Sequence, residues 1–96
     1  MENLSIELPQ GASYHKLYQL ACERNIIISL SEQRNFSGGQ SILVNGETLA
    51  MLDFFIFLEE QYGKQQVIRV SYSEKGEIKQ RTIGFIIKYL KHLIEK

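Results

Sequence analysis

The sequence predicts a small α+β domain, and three observations carry that prediction. The 96 residues are 44% hydrophobic and 23% charged, enough apolar material for one core and too little chain for a second. Leu4, Ile6 and Leu8 alternate with Asn3, Ser5 and Glu7, the period of a strand with one buried face. Tyr14, Leu17, Tyr18 and Ala21, with Leu20 beside them, recur instead at the spacing of a helix face, as do Ile83, Ile86, Ile87, Leu90 and Leu93 or Ile94 near the end. No linker, internal repeat or low-complexity tract divides the chain, so residues 1–96 read as a single domain.

Pro9-Gln10-Gly11 ends the first strand. Ser13 precedes the first helix as its N-cap, where a hydroxyl accepts a hydrogen bond from a free backbone N–H, and the helix runs to about Arg24. Ile26, Ile27, Ile28 and Leu30 make a strand by their β-branched and apolar content. The run from Ser31 to Ser41 is polar and contains Gly38-Gly39, which reads as a flexible turn. Two pairings remain open for this region. Either 26–31 pairs with 41–45, or 41–44 pairs with 47–51 across Asn45-Gly46, a dipeptide that tolerates the positive φ of a type I′ hairpin turn.

Asp53 then caps a second helix from Phe54 to about Tyr62, which stops at Gly63 in a left-handed conformation. Residues 67–73 read as a strand and Glu74-Lys75-Gly76 as a turn. The last helix follows from about Lys79, although Gly84 within its apolar stripe costs about 1 kcal/mol relative to alanine. A rival reading extends Glu77 to Ile83 as the second strand of a hairpin; the helical spacing from Ile83 onward favours the helix.

Eleven basic and eleven acidic side chains cancel, which offers no bulk attraction to nucleic acid or to an anionic membrane. The distribution is uneven. Residues 1–63 hold three basic and eight acidic groups, a formal −5, and residues 64–96 hold eight and three, a formal +5. Cys22 is alone, so no internal disulfide and no thiolate metal cage can form. The N-terminus lacks the pattern of a secretory leader, and no apolar run approaches the roughly 20 residues of a membrane span. The chain reads as a cytoplasmic, mature protein.

Catalytic machinery is not visible. His15 and His92 lie far apart without carboxylates or thiols at ligand spacing, so no metal is expected, and no cofactor either. Gly38-Gly39 lacks the Lys-Ser or Lys-Thr of a phosphate loop. Tyr14, Tyr18, Tyr62, Tyr72 and Tyr89 form no basic-aromatic stacking array for nucleic acid. Lys79, Arg81, Lys88 and Lys91 read as solvated lysines and an arginine on the last helix. By contrast, the apolar run Phe54 to Leu58 cannot all point inward from a helix, and an exposed aromatic there is expected as an anchor for a protein partner.

The order of elements and several motifs resemble HPr, the histidine-containing phosphocarrier of the bacterial sugar phosphotransferase system. Leu4 to Gly11 resembles that family's first strand and exit turn. From Asn45 to His92 the chain lines up through Asn45-Gly46, Asp53-Phe54-Phe55, the strand from Val67 to Ser71, and Gly76. Extra residues fall between Arg24 and Phe36. The resemblance implies an open-faced β-sandwich, with a four-stranded, mainly antiparallel sheet and three helices on one face.

It also implies a site. Family members follow the glycine with Leu-His-x-Arg-Pro-Ala, whose histidine carries phosphoryl at a helix N-terminus, where free N–H groups and the dipole favour a dianion. This chain reads Gly11-Ala12-Ser13-Tyr14-His15-Lys16-Leu17. Ser13 stands at the phospho-histidine position, His15 at the arginine and Lys16 at the proline, so the carrier reaction is lost. Sliding the register by two would make His15 the acceptor but spoils the match at Leu17, Leu20 and Ala21.

Asp53 stands at the family's regulatory serine, with one charge where phosphoserine has about 1.5 to 2; the plainer role is a helix cap. Phe54 and Phe55 match the family's docking patch. The implied function is a non-catalytic regulatory domain that binds proteins through Ser13, His15, Lys16, Asp53, Phe54 and Phe55. Phosphotransferase-system components or a LacI-type transcription regulator are the implied partners, and the oligomeric state is left open. The alternatives are an active phosphocarrier using His15, or a structural module on the same fold unrelated to sugar transport.

Overall fold

In the computed structural model, which describes residues 2–34 and 40–95, the chain runs β1 (Glu2–Glu7), α1 (Tyr14–Glu23), β2 (Ile27–Arg34), β3 (Gln40–Asn45), α2 (Thr48–Tyr62), β4 (Arg69–Glu74), β5 (Glu77–Thr82) and α3 (Ile83–Ile94). The sheet has five strands in the order β2-β3-β1-β4-β5, and each neighbouring pair is antiparallel. The expected four-stranded sheet is therefore short by one strand. Through β4 the connectivity is two interleaved split βαβ units, the ferredoxin-like pattern, with a hairpin strand and a helix appended.

Ser13 caps α1 as its residue type predicts. The other end of that helix closes on a Schellman motif: Asn25 adopts φ +61, its N–H reaches the Cys22 carbonyl at 3.1 Å, and the Ile26 N–H reaches Ala21 at 2.8 Å. Asparagine tolerates the left-handed region better than other side chains. Ala21 and Ile26 are both fully buried, so the turn that ends the helix also delivers its first apolar residue into the core.

Asn45-Gly46 is not a hairpin turn. β3 pairs with β2, Ile27 opposite Asn45, and neither Asn45 nor Gly46 has a positive φ. The glycine serves close approach instead: a Cβ at Gly46 would overlap Cδ1 of the fully buried Ile26. The type I′ turn falls one hairpin later, at Lys75 (φ +52) and Gly76 (φ +81), and joins β4 to β5. Glu77 to Thr82 is accordingly the second strand of a hairpin rather than the start of the last helix. Its side chains are exposed or half-buried throughout, so it has no apolar alternation to read. Gly63 closes α2 at φ −80, a right-handed rather than a left-handed cap.

Leu4, Ile6, Ile28, Ile42, Val44, Val70 and Tyr72 from one face of the sheet join Leu17 and Ala21, Phe54, Phe55 and Leu58, and Ile83, Ile86, Ile87 and Leu90 from the three helices in a single core. The opposite face follows a row given by the register: Ser29, Leu43, Ser5, Ser71 and Gln80. Apart from Leu43 these side chains are small or polar, which fits a face that no helix covers.

Replacing Gly46 with alanine forces its methyl against Ile26 and should lower unfolding stability by about 1–3 kcal/mol, the usual range for overpacking. In an Ile26→Val background, which lacks that Cδ1, the added cost should shrink. Urea unfolding of the four members of this cycle checks it, and equal costs in both backgrounds would refute the contact.

Candidate protein-interaction surface

The first turn of α1 presents Ser13, His15 and Lys16 together, all exposed. Ser13 sits in extended backbone at φ −101, ψ 147, and its Oγ accepts from the Lys16 N–H at 3.2 Å. The His15 ring turns along the helix, its Nε2 within 3.3 Å of the Gln19 side-chain amide. The approach to this helix is held from outside. The Gln10 N–H donates to Gln66 Oε1 at 3.0 Å, and Gln66 Nε2 donates back to the Gln10 carbonyl at 3.1 Å. These two bonds tie the turn after β1 to the segment before β4.

Asp53 does not open a helix. α2 starts at Thr48, with Glu47 in the N-cap position and no side-chain cap bond, which leaves Asp53 in the second turn. Leu49, Ala50, Met51 and Leu52 are strong helix formers, so the helix extends upstream of the expected cap. The Asp53 side chain is 70% exposed and lies 3.8 Å from Nε of Arg24.

Phe54 and Phe55 are fully buried and cannot anchor a partner. Their rings pack at 6.2 Å between centroids, and with Leu58 they form the inward face of α2. From the run Phe54 to Leu58, only Ile56 and Phe57 stay partly accessible. The large exposed apolar residue of this helix is Leu49, at 65%.

The expected single docking face is therefore divided. Asp53 is held by Arg24, the C-cap of α1, whereas Ser13 is the N-cap of the same helix. Ten helical residues separate them, about 15 Å along the axis. Ser13, His15 and Lys16 remain together at one end; Asp53 stands at the other.

Arg24 is the residue that the sequence reading did not single out. Its guanidinium lies 4.0 Å from the centroid of the Phe57 ring, donates to the Leu20 carbonyl at 3.1 Å, and faces Asp53. One side chain thereby caps α1 and clamps it to α2. The available signal was an arginine four residues beyond Leu20 at a helix end, where the last carbonyls lack partners.

Among the described residues, no three His, Cys, Asp or Glu side chains gather as metal ligands, and no helix is long and apolar enough to cross a membrane. Neither a protein-family model, nor a curated protein, nor a solved structure matches the chain.

Arg24→Ala removes a cation–π contact and a carbonyl bond together and should cost on the order of 1–2 kcal/mol. Asp53→Ala removes only an exposed ion pair and should stay within about 0.5 kcal/mol. Chemical unfolding of both variants checks the contrast; equal losses would mean that the ion pair, not the ring contact, joins the helices.

Proposed function

We propose that the chain is a non-catalytic, regulatory protein-binding domain whose contact region is the first turn of α1. One observation carries the reading. The side chain at the mouth of that helix is Ser13, whose hydroxyl is already engaged by the Lys16 N–H, while the only imidazole nearby turns toward Gln19. A phosphocarrier needs a ring nitrogen facing the free amides, because those amides stabilise the phosphoryl dianion. Ser13, His15 and Lys16 instead form an exposed polar cluster suited to recognition.

The narrower form of the proposal places this domain beside the bacterial sugar phosphotransferase system, as a relative of HPr that is bound but not phosphorylated. Its support is the resemblance at Leu4 to Gly11 and at Val67 to Ser71, together with the serine at the acceptor position. Asp53 and the phenylalanines no longer contribute to it. A cytoplasmic location and a partner from that system, or a transcription regulator, belong to the same proposal.

Incubation with phosphoenolpyruvate and the general phosphotransfer protein should leave the chain unlabelled. Stoichiometric, acid-labile labelling that His15→Ala abolishes would overturn the proposal and make the domain a carrier.

A further inference from the structure

The α2 and α3 helices lie side by side on the helical layer, and their outer faces carry opposite charge. On α2, Leu49, Asp53, Ile56 and Glu60 fall at i, i+4, i+7 and i+11, a stripe about 60° wide in which Leu49, Asp53 and Glu60 are exposed and Ile56 is half-buried against the core. It alternates apolar and acidic. On α3, Phe85, Lys88 and His92 fall at i, i+3 and i+7 opposite the buried Ile83, Ile86, Ile87 and Leu90, with Lys91 on the flank. That face is apolar at one end and basic beyond it.

Neither Glu60 nor Lys88 has an ion-pair partner among the described residues. Both are exposed. Leu49 is 65% exposed and Phe85 47%, so each stripe also leaves a large apolar group in water. Asp53 and Glu60 of the acidic segment thus stand on one helix face, and Lys88, with Lys91 on its flank, of the basic segment on the adjacent one.

The two helices run in opposite directions, α2 from the end of β3 toward β4 and α3 back from the end of β5. Their heights are matched: a Cβ at Gly84 would lie 3.6 Å from a carboxylate oxygen of Glu59, so the first turn of α3 stands beside the last turn of α2. We infer that a second copy of this chain covers the pair, related by a two-fold axis parallel to the helices and above the seam between them. Such a rotation lays α2 of each copy on α3 of the other and keeps every residue at its own height.

Helical side chains lean toward the N-terminus of their own helix. In antiparallel neighbours they lean toward each other, which brings Glu60 toward the partner's Lys88 and Asp53 toward the partner's Lys91. The contact is isologous and closes at two copies, so it does not propagate into fibres. A second copy suits this surface because it supplies, at the required spacing, a carboxylate for Lys88 and an ammonium group for Glu60, each without an ion-pair partner among the described residues. Helices of 15 and 12 residues are about 22 and 18 Å long, enough for the roughly 800 Å² per partner of an ordinary interface.

This inference stands apart from the binding role of the α1 first turn, which the dimer leaves exposed at one end of the layer; labelling by phosphoenolpyruvate and oligomeric state fail independently. Sedimentation equilibrium of the full chain should show a dimer. Its Kd should rise as ionic strength goes from about 0.1 to about 1 M, which shortens the screening length from about 10 to about 3 Å. Glu60→Lys and Lys88→Glu each place like charges across the axis and should weaken the dimer at least about tenfold, with the fold intact by circular dichroism.

Mixed in equal amounts, the two variants should recover parental affinity, because each position then faces its opposite charge twice. A monomeric parent, a dimer indifferent to both reversals, or a mixture that stays monomeric would each overturn the inference.

Discussion

The burial of Phe54 and Phe55 side by side is the constraint on which the arrangement of this molecule rests. Adjacent residues on a helix point about 100° apart, so burying both requires α2 to lie flat on the core with a broad face inward. Each ring contributes about 1.5–3 kcal/mol relative to exposure. A helix cap is worth about 1 kcal/mol and an exposed ion pair less. The phenylalanines therefore set the rotation of α2, and Asp53, one residue earlier, is carried outward to meet Arg24. With α2 fixed, Arg24 over Phe57 locates α1 on one flank, and the Glu59–Gly84 approach locates α3 on the other.

Much of this architecture was legible in the sequence where one physical signal stood alone. The alternation of Leu4, Ile6 and Leu8 marks β1, Ser13 marks the start of α1, and the spacing from Ile83 to Leu90 marks the buried stripe of α3. The reading failed where a residue type has two uses. Glycine at position 46 permits a positive φ, but it also permits contact, and Ile26 needed the contact. Aspartate caps helices, but Leu49 to Leu52 are strong enough helix formers to place the cap upstream. β5 was legible only as the second of two readings, for another reason: it is an edge strand outside the apolar core, so no apolar period favoured the strand at Glu77 to Ile83 over an earlier start of the last helix.

The candidate site divides along the same line. Ser13, His15 and Lys16 sit within one turn of helix, where local rules govern, and they stand together as their spacing implies. Asp53, Phe54 and Phe55 were grouped with them through a long-range match, and long-range placement depends on packing that no local pattern encodes. Arg24 shows the converse. Its importance comes from three groups at different distances along the chain, Leu20, Asp53 and Phe57, and only folding brings them to one guanidinium.

The charge asymmetry of the sequence acquires meaning only through this packing. A −5 segment followed by a +5 segment could fold so that the charges neutralise one another within the molecule. In the folded molecule Arg24 pairs with Asp53 within the acidic segment and Lys79 with Glu74 within the basic one. The reason is geometric. α2 and α3 meet where the small Gly84 stands beside Glu59, with their buried apolar faces turned into one core, and that packing points Asp53 and Glu60 of one and Lys88 of the other outward in parallel rather than toward each other. Opposite charges held side by side on one face cannot satisfy themselves, but a face carrying both in adjacent rows is complementary to its own rotated image.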